Sequence, residues 1–196
     1  MKRAFDFTAS LLLLLLLSPL LLLISLMILI DDGMPVIFRQ YRVGRGNKLF
    51  YIYKFRTMRK DTRNAATEEL RESQSQITAS GRLLRKTSLD ELPQLWNILR
   101  GDMSFVGPRP LIPEEREIRQ LRAEYGVYVV RPGMTGLAQI NGRDALGAEE
   151  KARFDKEYVE NRSLLLDMKI LLRTVIVVLR RENITEGGEP ENSHRV

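Results

Sequence analysis

Cysteine is absent from this chain of 196 residues, and histidine occurs only once, at His194. Without cysteine the chain can form no disulfide and no thiolate site for zinc or an iron–sulfur cluster. A single histidine in a polar stretch also excludes Ser-His and Cys-His nucleophile pairs and the double-histidine zinc motif of metalloproteases. Any catalysis must therefore use carboxylates, cations and hydroxyl groups.

Acidic residues are missing from one segment, residues 33–60. That segment contains eight cations, which are Arg39, Arg42, Arg45, Lys48, Lys54, Arg56, Arg59 and Lys60. A basic segment of this kind is typical of contact with anionic lipid headgroups or with phosphates, although a solvated charged surface has the same composition. Because no nucleic-acid-binding motif accompanies the charge, we expect no nucleic-acid partner.

One long hydrophobic run, residues 11–30, is interrupted at its middle by Ser18 and Pro19. A helix of roughly 20 residues matches the hydrocarbon thickness of a bilayer, so a spanning helix is one interpretation. Proline removes a helical hydrogen bond and predicts a kink at this point. Basic residues flank the run on both sides, and the positive-inside rule draws both flanks to the cytoplasm. The pattern therefore favours a re-entrant membrane helix for residues 1–33.

Residues 34–181 are predicted to form a compact, mainly helical α+β domain with one small β-hairpin. The hairpin is predicted over residues 34–58, where β-branched and aromatic residues flank the turn "GRGN". In its second strand Lys54 and Arg56 share a face, where they could straddle a diphosphate. Helices are predicted near residues 89–100, 113–125, 148–161 and 164–181.

Three further segments of the sequence have a distinct composition. The last predicted helix is rich in large apolar residues, and it is either a core helix or an amphipathic helix in the membrane interface. Residues 61–80 are polar and are predicted to be a loop or a loosely held helix. Residues 182–196, rich in Gly, Glu, Pro and Asn, are expected to be a disordered tail.

The motif "LRKTSLDELPQLWNILRGDMSFVGPRPL", residues 84–111, is dense in chemically useful side chains. Ser88 and Glu91 have capping-box spacing, which predicts that Asp90 and Glu91 lie in the first turn of a helix. A helix start nearer Pro93 is the alternative. The helix dipole favours acids at a helix start whether or not they have a function. The two carboxylates are therefore either structural or catalytic.

In the catalytic interpretation, one carboxylate is a nucleophile and the other helps to hold a divalent cation or transfers a proton. Arg85 and Arg109 would then withdraw charge from a leaving group. Arg109 lies between two prolines, which restrict its backbone, although a rigid turn with an incidental arginine has the same sequence. The Gly-rich stretch "RPGMTGLAQINGR" has Arg131 and Arg143 at its ends, and it could enclose a nucleotide or a phosphate.

Together these motifs resemble those of the bacterial sugar transferases, also called monotopic phosphoglycosyl transferases, from Arg3 to about Arg181. The matching features are the Ser18-Pro19 break, "YKFRTM", "TSLDELPQLWN", "GDMSFVGPRP", "RPGMTGLAQINGR" and "LLDMKIL". The length is similar to that of the minimal form of the family, exemplified by the bacillosamine phosphate transferases.

The resemblance implies transfer of a sugar 1-phosphate from a UDP-sugar to polyprenol phosphate, in bacteria undecaprenyl phosphate, with release of UMP. The reaction would take place on the cytoplasmic face of the inner membrane, next to the phospholipids that hold the re-entrant helix. Its product would be the first lipid-linked intermediate of a glycoconjugate, which implies downstream glycosyltransferases as partners.

The resemblance also implies roles for individual residues. Asp90 would attack the β-phosphate and form a covalent phosphosugar intermediate, with Mg²⁺ bound at Asp90. Glu91 would handle a proton or contact the metal, and Arg109 would hold phosphate. The remaining cations placed in the substrate pocket are Lys54, Arg56, Arg85, Arg131 and Arg143.

Two other functions are compatible with parts of the pattern. A membrane-anchored scaffold protein could use the basic segment to bind anionic lipid without catalysis. A metal-dependent glycosyltransferase would also use a nucleotide sugar, but the sequence contains no Asp-x-Asp pair, and such an enzyme would release UDP rather than UMP.

Overall fold

The structure is a computed structural model that describes residues 1–60, 76–142 and 145–180. Helices and strands follow one another in this order: α1 (Lys2–Leu16), α2 (Ser18–Asp32), β1 (Ile37–Val43), β2 (Leu49–Phe55), α3 (Ala79–Thr87), α4 (Gln94–Arg100), β3 (Ser104–Val106), α5 (Arg116–Glu124), β4 (Gly133–Thr135), α6 (Leu137–Ile140), α7 (Ala148–Asn161) and α8 (Leu164–Arg180). Within the described ranges, strands β1 and β2 pair antiparallel and β3 and β4 pair parallel. The expectation of a mainly helical α+β fold is confirmed.

The chain bends by 61° between α1 and α2, at the Ser-Pro pair. Pro19 lies in the first turn of α2, where a helix start leaves N–H groups without intrahelical partners, so proline costs little there. The Ser18 hydroxyl donates to the Leu15 carbonyl at 2.8 Å, which satisfies an acceptor at the end of α1. Over the described residues no single helix has the length and apolarity to cross a bilayer, whereas α1 and α2 together have both.

One side of the bent pair packs on the domain. Ile24 and Ile28 of α2 are buried against Phe55 and Leu84, while α1 packs mainly on α4. The opposite side exposes large apolar residues, which include Phe7, Leu12, Leu15, Leu16, Leu22, Leu23, Leu26 and Ile30. Large apolar side chains exposed on two neighbouring helices are uncommon in soluble monomers, and the described residues leave this side of the helix pair uncovered.

Buried polar groups fix α1 to the rest of the domain. Asp6 is only 2% exposed, and its Oδ1 accepts hydrogen bonds from the Ser104 hydroxyl and the Phe105 N–H. Lys2 forms an ion pair of 2.6 Å with Asp167 of α8. Because buried polar groups are costly without partners, these contacts define one position of α1 on the domain.

The β1–β2 hairpin is joined to α4 by one buried amide. Asn97 of α4 is fully buried, its Oδ1 accepts from the Tyr53 N–H at 3.1 Å, and its Nδ2 donates to the Tyr51 carbonyl at 2.6 Å. The side chain thus satisfies a donor and an acceptor on β2 as a neighbouring strand would. These two hydrogen bonds fix the position of α4 along strand β2.

Glycines bring the chain segments after β3 and β4 into close contact. A Cβ atom at Gly107 would collide with the Arg131 carbonyl, and one at Gly133 or Gly136 would collide with the Gly107 backbone. The Pro-Arg-Pro segment that follows Gly107 therefore lies directly against the Gly-rich stretch. Only residues without side chains permit this approach.

The element boundaries agree with several of the sequence predictions. The hairpin and the helix Ala148–Asn161 lie where predicted, and α8 ends one residue before its predicted boundary. Helix α5 begins at Arg116, later than predicted, and α3 was not predicted at all. Most of the polar stretch 61–80 and the whole tail 182–196 lie outside the described residues.

Replacing Asn97 by alanine should lower the free energy of unfolding by about 2–4 kcal/mol, because a buried N–H and a buried carbonyl of β2 lose their partner. Asn161→Ala is a matched control, since its Nδ2 also donates to a backbone carbonyl, that of Glu157, but on an exposed helix end. The control should change stability by less than about 0.5 kcal/mol. Equal losses for both variants, measured by denaturant unfolding in detergent, would contradict the role assigned to Asn97.

Candidate active site

The carboxylates Asp90 and Glu91 lie in a single 3₁₀ turn, Leu89–Glu91, between α3 and α4. The predicted capping box is wrong, because the Ser88 side chain makes no capping hydrogen bond. Ser88 instead adopts a left-handed conformation, with φ of 56°, that ends α3. Helix α4 begins at Gln94, just after Pro93, as the alternative prediction had it. The two carboxylates therefore precede α4.

Cations from two other elements approach this turn. Lys54 of β2 forms an ion pair of 2.7 Å with Glu91. Arg85 of α3 donates from Nε to the Thr57 hydroxyl at 2.9 Å, and its charge acts on Asp90. The structure thus brings together four of the residues selected from the sequence.

Burial raises the pKa of Asp90 from 3.8 to about 6. The negative charge of Glu91 contributes to this raised pKa, whereas the charges of Lys54 and Arg85 lower the pKa and partly offset the burial. A carboxyl with this pKa is mostly ionised at neutral pH, yet it is poorly solvated. Such a carboxylate is well suited to act as a nucleophile toward phosphorus.

The carboxylate pair is also a suitable donor set for Mg²⁺. Magnesium usually takes one or two protein carboxylates and completes its octahedron with water and substrate phosphates. Among the residues that the structure describes, no three acidic or histidine side chains are grouped to hold a metal on their own. Asp90 and Glu91 would therefore hold the ion jointly with a phosphorylated substrate.

The side chain of Arg109 is exposed, whereas the backbone of the Pro-Arg-Pro segment that carries it accepts hydrogen bonds from two other arginines. Its carbonyl accepts from Arg122 Nη1 at 2.7 Å, and Arg122 is ion-paired with Asp155 in the interior. The next carbonyl, that of Pro110, accepts from Arg42 Nη1 at 3.2 Å. Two largely buried guanidinium groups thus fix the loop that presents the Arg109 side chain.

Arg42 is a site residue that was not selected from the sequence. It lies on β1 opposite Phe50, and the register places it on the same hairpin face as Lys54. Burial, followed by the charge of Arg109, lowers the pKa of Arg42 to about 10, and Glu91 is among the acids that oppose this shift. Arg42 therefore faces both Arg109 and the carboxylate turn. The alternation of side chains between the two faces of β1, together with the pairing register of the hairpin, could have identified Arg42 from the sequence.

Three other selected cations have different surroundings. Arg56 is buried and pairs with Asp32 at 3.0 Å, while it also donates to the Asp32 and Gly33 carbonyls. Arg131 donates to the Gly101 carbonyl at 2.7 Å, at the far end of α4 from the carboxylates. Arg143 lies outside the described residues. The structure thus does not bring Arg56 or Arg131 to the carboxylate turn.

The carboxylate turn packs on α3 and β2, and its flanking leucines reach an apolar cluster that α2 shares with these two elements. Leu89 and Leu92, which flank the two acids, pack on the cluster formed by Ile24 and Ile28. The site thus combines a partly buried carboxylate, a second acid and two cations, a set of groups that suits phosphoryl-transfer chemistry.

Comparison with known proteins identifies the family. The sequence profile described as bacterial sugar transferase matches residues 1–181. The uncharacterized sugar transferase EpsL of Bacillus subtilis is 44% identical in an alignment 195 positions long that covers 95% of this chain and 91% of that protein. The chain belongs to the bacterial sugar transferase family, which confirms both the resemblance seen in the motifs and the expectation of an enzyme.

Relatives with named activities match a part of their length. The undecaprenyl-phosphate galactose phosphotransferase of Salmonella typhimurium is 41% identical over 93% of this chain and 41% of that protein. The undecaprenyl-phosphate glucose phosphotransferase of Komagataeibacter xylinus is 45% identical over 89% of this chain and 35% of that protein. The chain therefore spans less than half the length of these two phosphotransferases.

The raised pKa of Asp90 predicts that Asp90→Asn stabilises the fold. Well below pH 3.8, the ordinary pKa of the group, the carboxyl is protonated in both folded and unfolded chains, so its burial carries no ionisation penalty. As pH rises toward 6 the unfolded chain ionises first, and the folded state loses stability. We expect Asp90→Asn to raise the free energy of unfolding by about 1–3 kcal/mol above pH 6, and by much less at pH 4. An equal effect at pH 4 and pH 8 in denaturant titrations would contradict the shift.

Proposed function

We propose that this protein transfers a sugar 1-phosphate from a UDP-sugar to undecaprenyl phosphate and releases UMP. The observation that carries the proposal is the half-buried Asp90, which lies beside Glu91 and two cations in a turn whose flanking leucines pack on an apolar cluster that α2 shares. The names of the Salmonella and Komagataeibacter relatives support the acceptor and the reaction class.

The proposed reaction has two displacements at the same phosphorus. In the first, an Asp90 carboxylate oxygen attacks the β-phosphorus, and the bond from that phosphorus to the oxygen bridging the two phosphates breaks. The bridging oxygen and its electron pair leave with UMP. In the second, an undecaprenyl phosphate oxygen attacks the aspartyl phosphosugar, and the bond to Asp90 breaks. The products are undecaprenyl diphosphate sugar and a free carboxylate.

The side chains around Asp90 support both displacements. Lys54 holds Glu91 at 2.7 Å, which keeps the second acid in place for metal contact or proton handling. Arg85 and Arg109 stabilise negative charge on the leaving phosphate. A bound Mg²⁺ would neutralise the diphosphate, and Asp90 and Glu91 would hold it.

We further propose that residues 1–33 form a re-entrant membrane helix and that residues 34–181 form a catalytic domain on the cytoplasmic face of the inner membrane. The 61° bend and the exposed apolar side of the helix pair support this placement. Helix α8 exposes an apolar stripe, formed by Leu165, Met168, Leu172 and Val175, that suits a helix lying in the membrane interface.

Asp90→Asn should reduce UMP release by at least about 10³-fold, because it retains the shape of the side chain and removes the nucleophile. Undecaprenyl phosphate and a panel of UDP-sugars serve as substrates, and membrane association should not change. Glu160→Gln, which neutralises an exposed acid on α7, is the control and should release UMP at the wild-type rate. Normal turnover by Asp90→Asn would reject the mechanism and favour the lipid-binding scaffold.

Cysteine labelling tests the re-entrant topology, since the chain has no native cysteine. Ala4→Cys and Met34→Cys place single thiols at exposed positions in the first turn of α1 and just after α2. Both should react with a membrane-impermeant maleimide only after the inner membrane is opened, because both flanks lie on the cytoplasmic side. Labelling of one position in intact spheroplasts would instead establish a spanning arrangement.

A further inference from the structure

The guanidinium of Arg42 contacts the Pro-Arg-Pro segment that carries Arg109, and the charge of Arg109 acts on that of Arg42. Arg42 donates to the carbonyl of Pro110, the residue that follows Arg109. In the part of the chain that the structure describes, no Asp or Glu oxygen lies within 4.0 Å of either guanidinium. Like charges held side by side without a counterion are unfavourable, and a bound anion would relieve their repulsion.

Neither hydrogen bond of Arg42 is to a charged group, although the charges of Glu115, Glu91 and Glu114 act on it from a distance. Nη1 donates to the Pro110 carbonyl at 3.2 Å and Nη2 to Gln40 Oε1 at 2.8 Å, and both acceptors are neutral. Nε is buried and has no hydrogen-bond partner among the described residues. These neutral contacts hold the guanidinium rigidly on the β1–β2 hairpin and leave it able to bind a further acceptor. A planar guanidinium binds phosphate oxygens well because it offers two parallel donors.

We propose that Arg42 is a substrate-binding residue that, together with Arg109, binds the phosphate oxygens of the nucleoside diphosphate. This inference deepens the proposed function and rests on it. The sequence predicted that Arg56 could contact the diphosphate, but the Arg56 guanidinium is bound by Asp32 and two carbonyls. The proposal assigns that contact to Arg42 instead. Because Lys54 shares the hairpin face with Arg42, the two cations would contact the substrate from the same side.

Arg119 provides a matched control for Arg42. Its Nη1 donates to the Pro113 carbonyl, its Nη2 contacts Asn47 Oδ1 at 3.3 Å, and its Nε is buried without a partner among the described residues. Substitution of either arginine therefore removes one backbone contact and one side-chain amide contact. Arg119 lies on α5, and its charge is not among those that act on Arg42 or Asp90.

The test measures equilibrium binding of UDP to the full chain in lipid nanodiscs. Arg42→Gln should weaken UDP binding by about 10- to 100-fold, the effect of losing charge-assisted hydrogen bonds to phosphate. Uridine, which has no phosphate, should bind Arg42→Gln as it binds the wild type. The affinity of Arg42→Lys for UDP should lie between those of the wild type and Arg42→Gln, because lysine keeps the charge without the planar donors. Arg119→Gln should bind UDP like the wild type.

The outcomes separate this inference from the proposed function. Wild-type affinity of Arg42→Gln for UDP, or an equal loss in Arg119→Gln, would overturn the inference even if UMP is released from a UDP-sugar. A loss confined to the Arg42 variants and to UDP would support the diphosphate site. If no UDP-sugar in the panel yields UMP, the proposed reaction fails, while that selective loss would still establish Arg42 as a diphosphate ligand.

Discussion

The geometry of the site depends on the attachment of α4 to the β1–β2 hairpin through the buried amide of Asn97. That amide satisfies one donor and one acceptor of β2, so α4 cannot slide along the strand without breaking both hydrogen bonds. The carboxylate turn, Leu89–Glu91, immediately precedes α4, and the side chain of Lys54 extends from β2. The ion pair between Lys54 and Glu91 therefore forms between two elements whose relative position the interior has already fixed.

Two groups next to this contact between α4 and the hairpin are electrostatically unfavourable in the free protein. Burial raises the pKa of Asp90, and Arg42 lies near a second guanidinium without a carboxylate partner in the described ranges. The remote pair Arg122 and Asp155, in contrast, is buried and fully matched in charge, and it holds the backbone of Arg109. The ion pair that holds the Arg109 backbone is thus matched in charge, whereas Arg42 has no carboxylate at ion-pair distance in the described ranges, as expected for a group that binds an anionic ligand.

The sequence predicted the features that depend on local patterns. Alternation identified the hairpin, helical periodicity identified α7 and α8, and the acidic pair was selected from its motif. Long-range contacts decided the rest. Arg56 could not be distinguished from a phosphate ligand without knowledge that Asp32, at the end of α2, reaches it. Ser88 matched a capping box in spacing, but its backbone ends the preceding helix instead. Arg42 required the strand register before its neighbours could be known.

The end of α2 is tied to the elements that carry the carboxylate turn. Asp31, at the end of α2, accepts the Ser80 N–H of α3 at 2.8 Å, and Asp32 binds Arg56 just after β2. Leu89 and Leu92, on either side of the two acids, pack on the apolar cluster to which α2 contributes Ile24 and Ile28. The depth at which α2 enters a bilayer would therefore set the height of Asp90 above the membrane. A lipid phosphate lies at one fixed height, and a soluble nucleotide sugar reaches it only from the aqueous side. Rigid coupling between α2 and the turn would satisfy both conditions without a moving part.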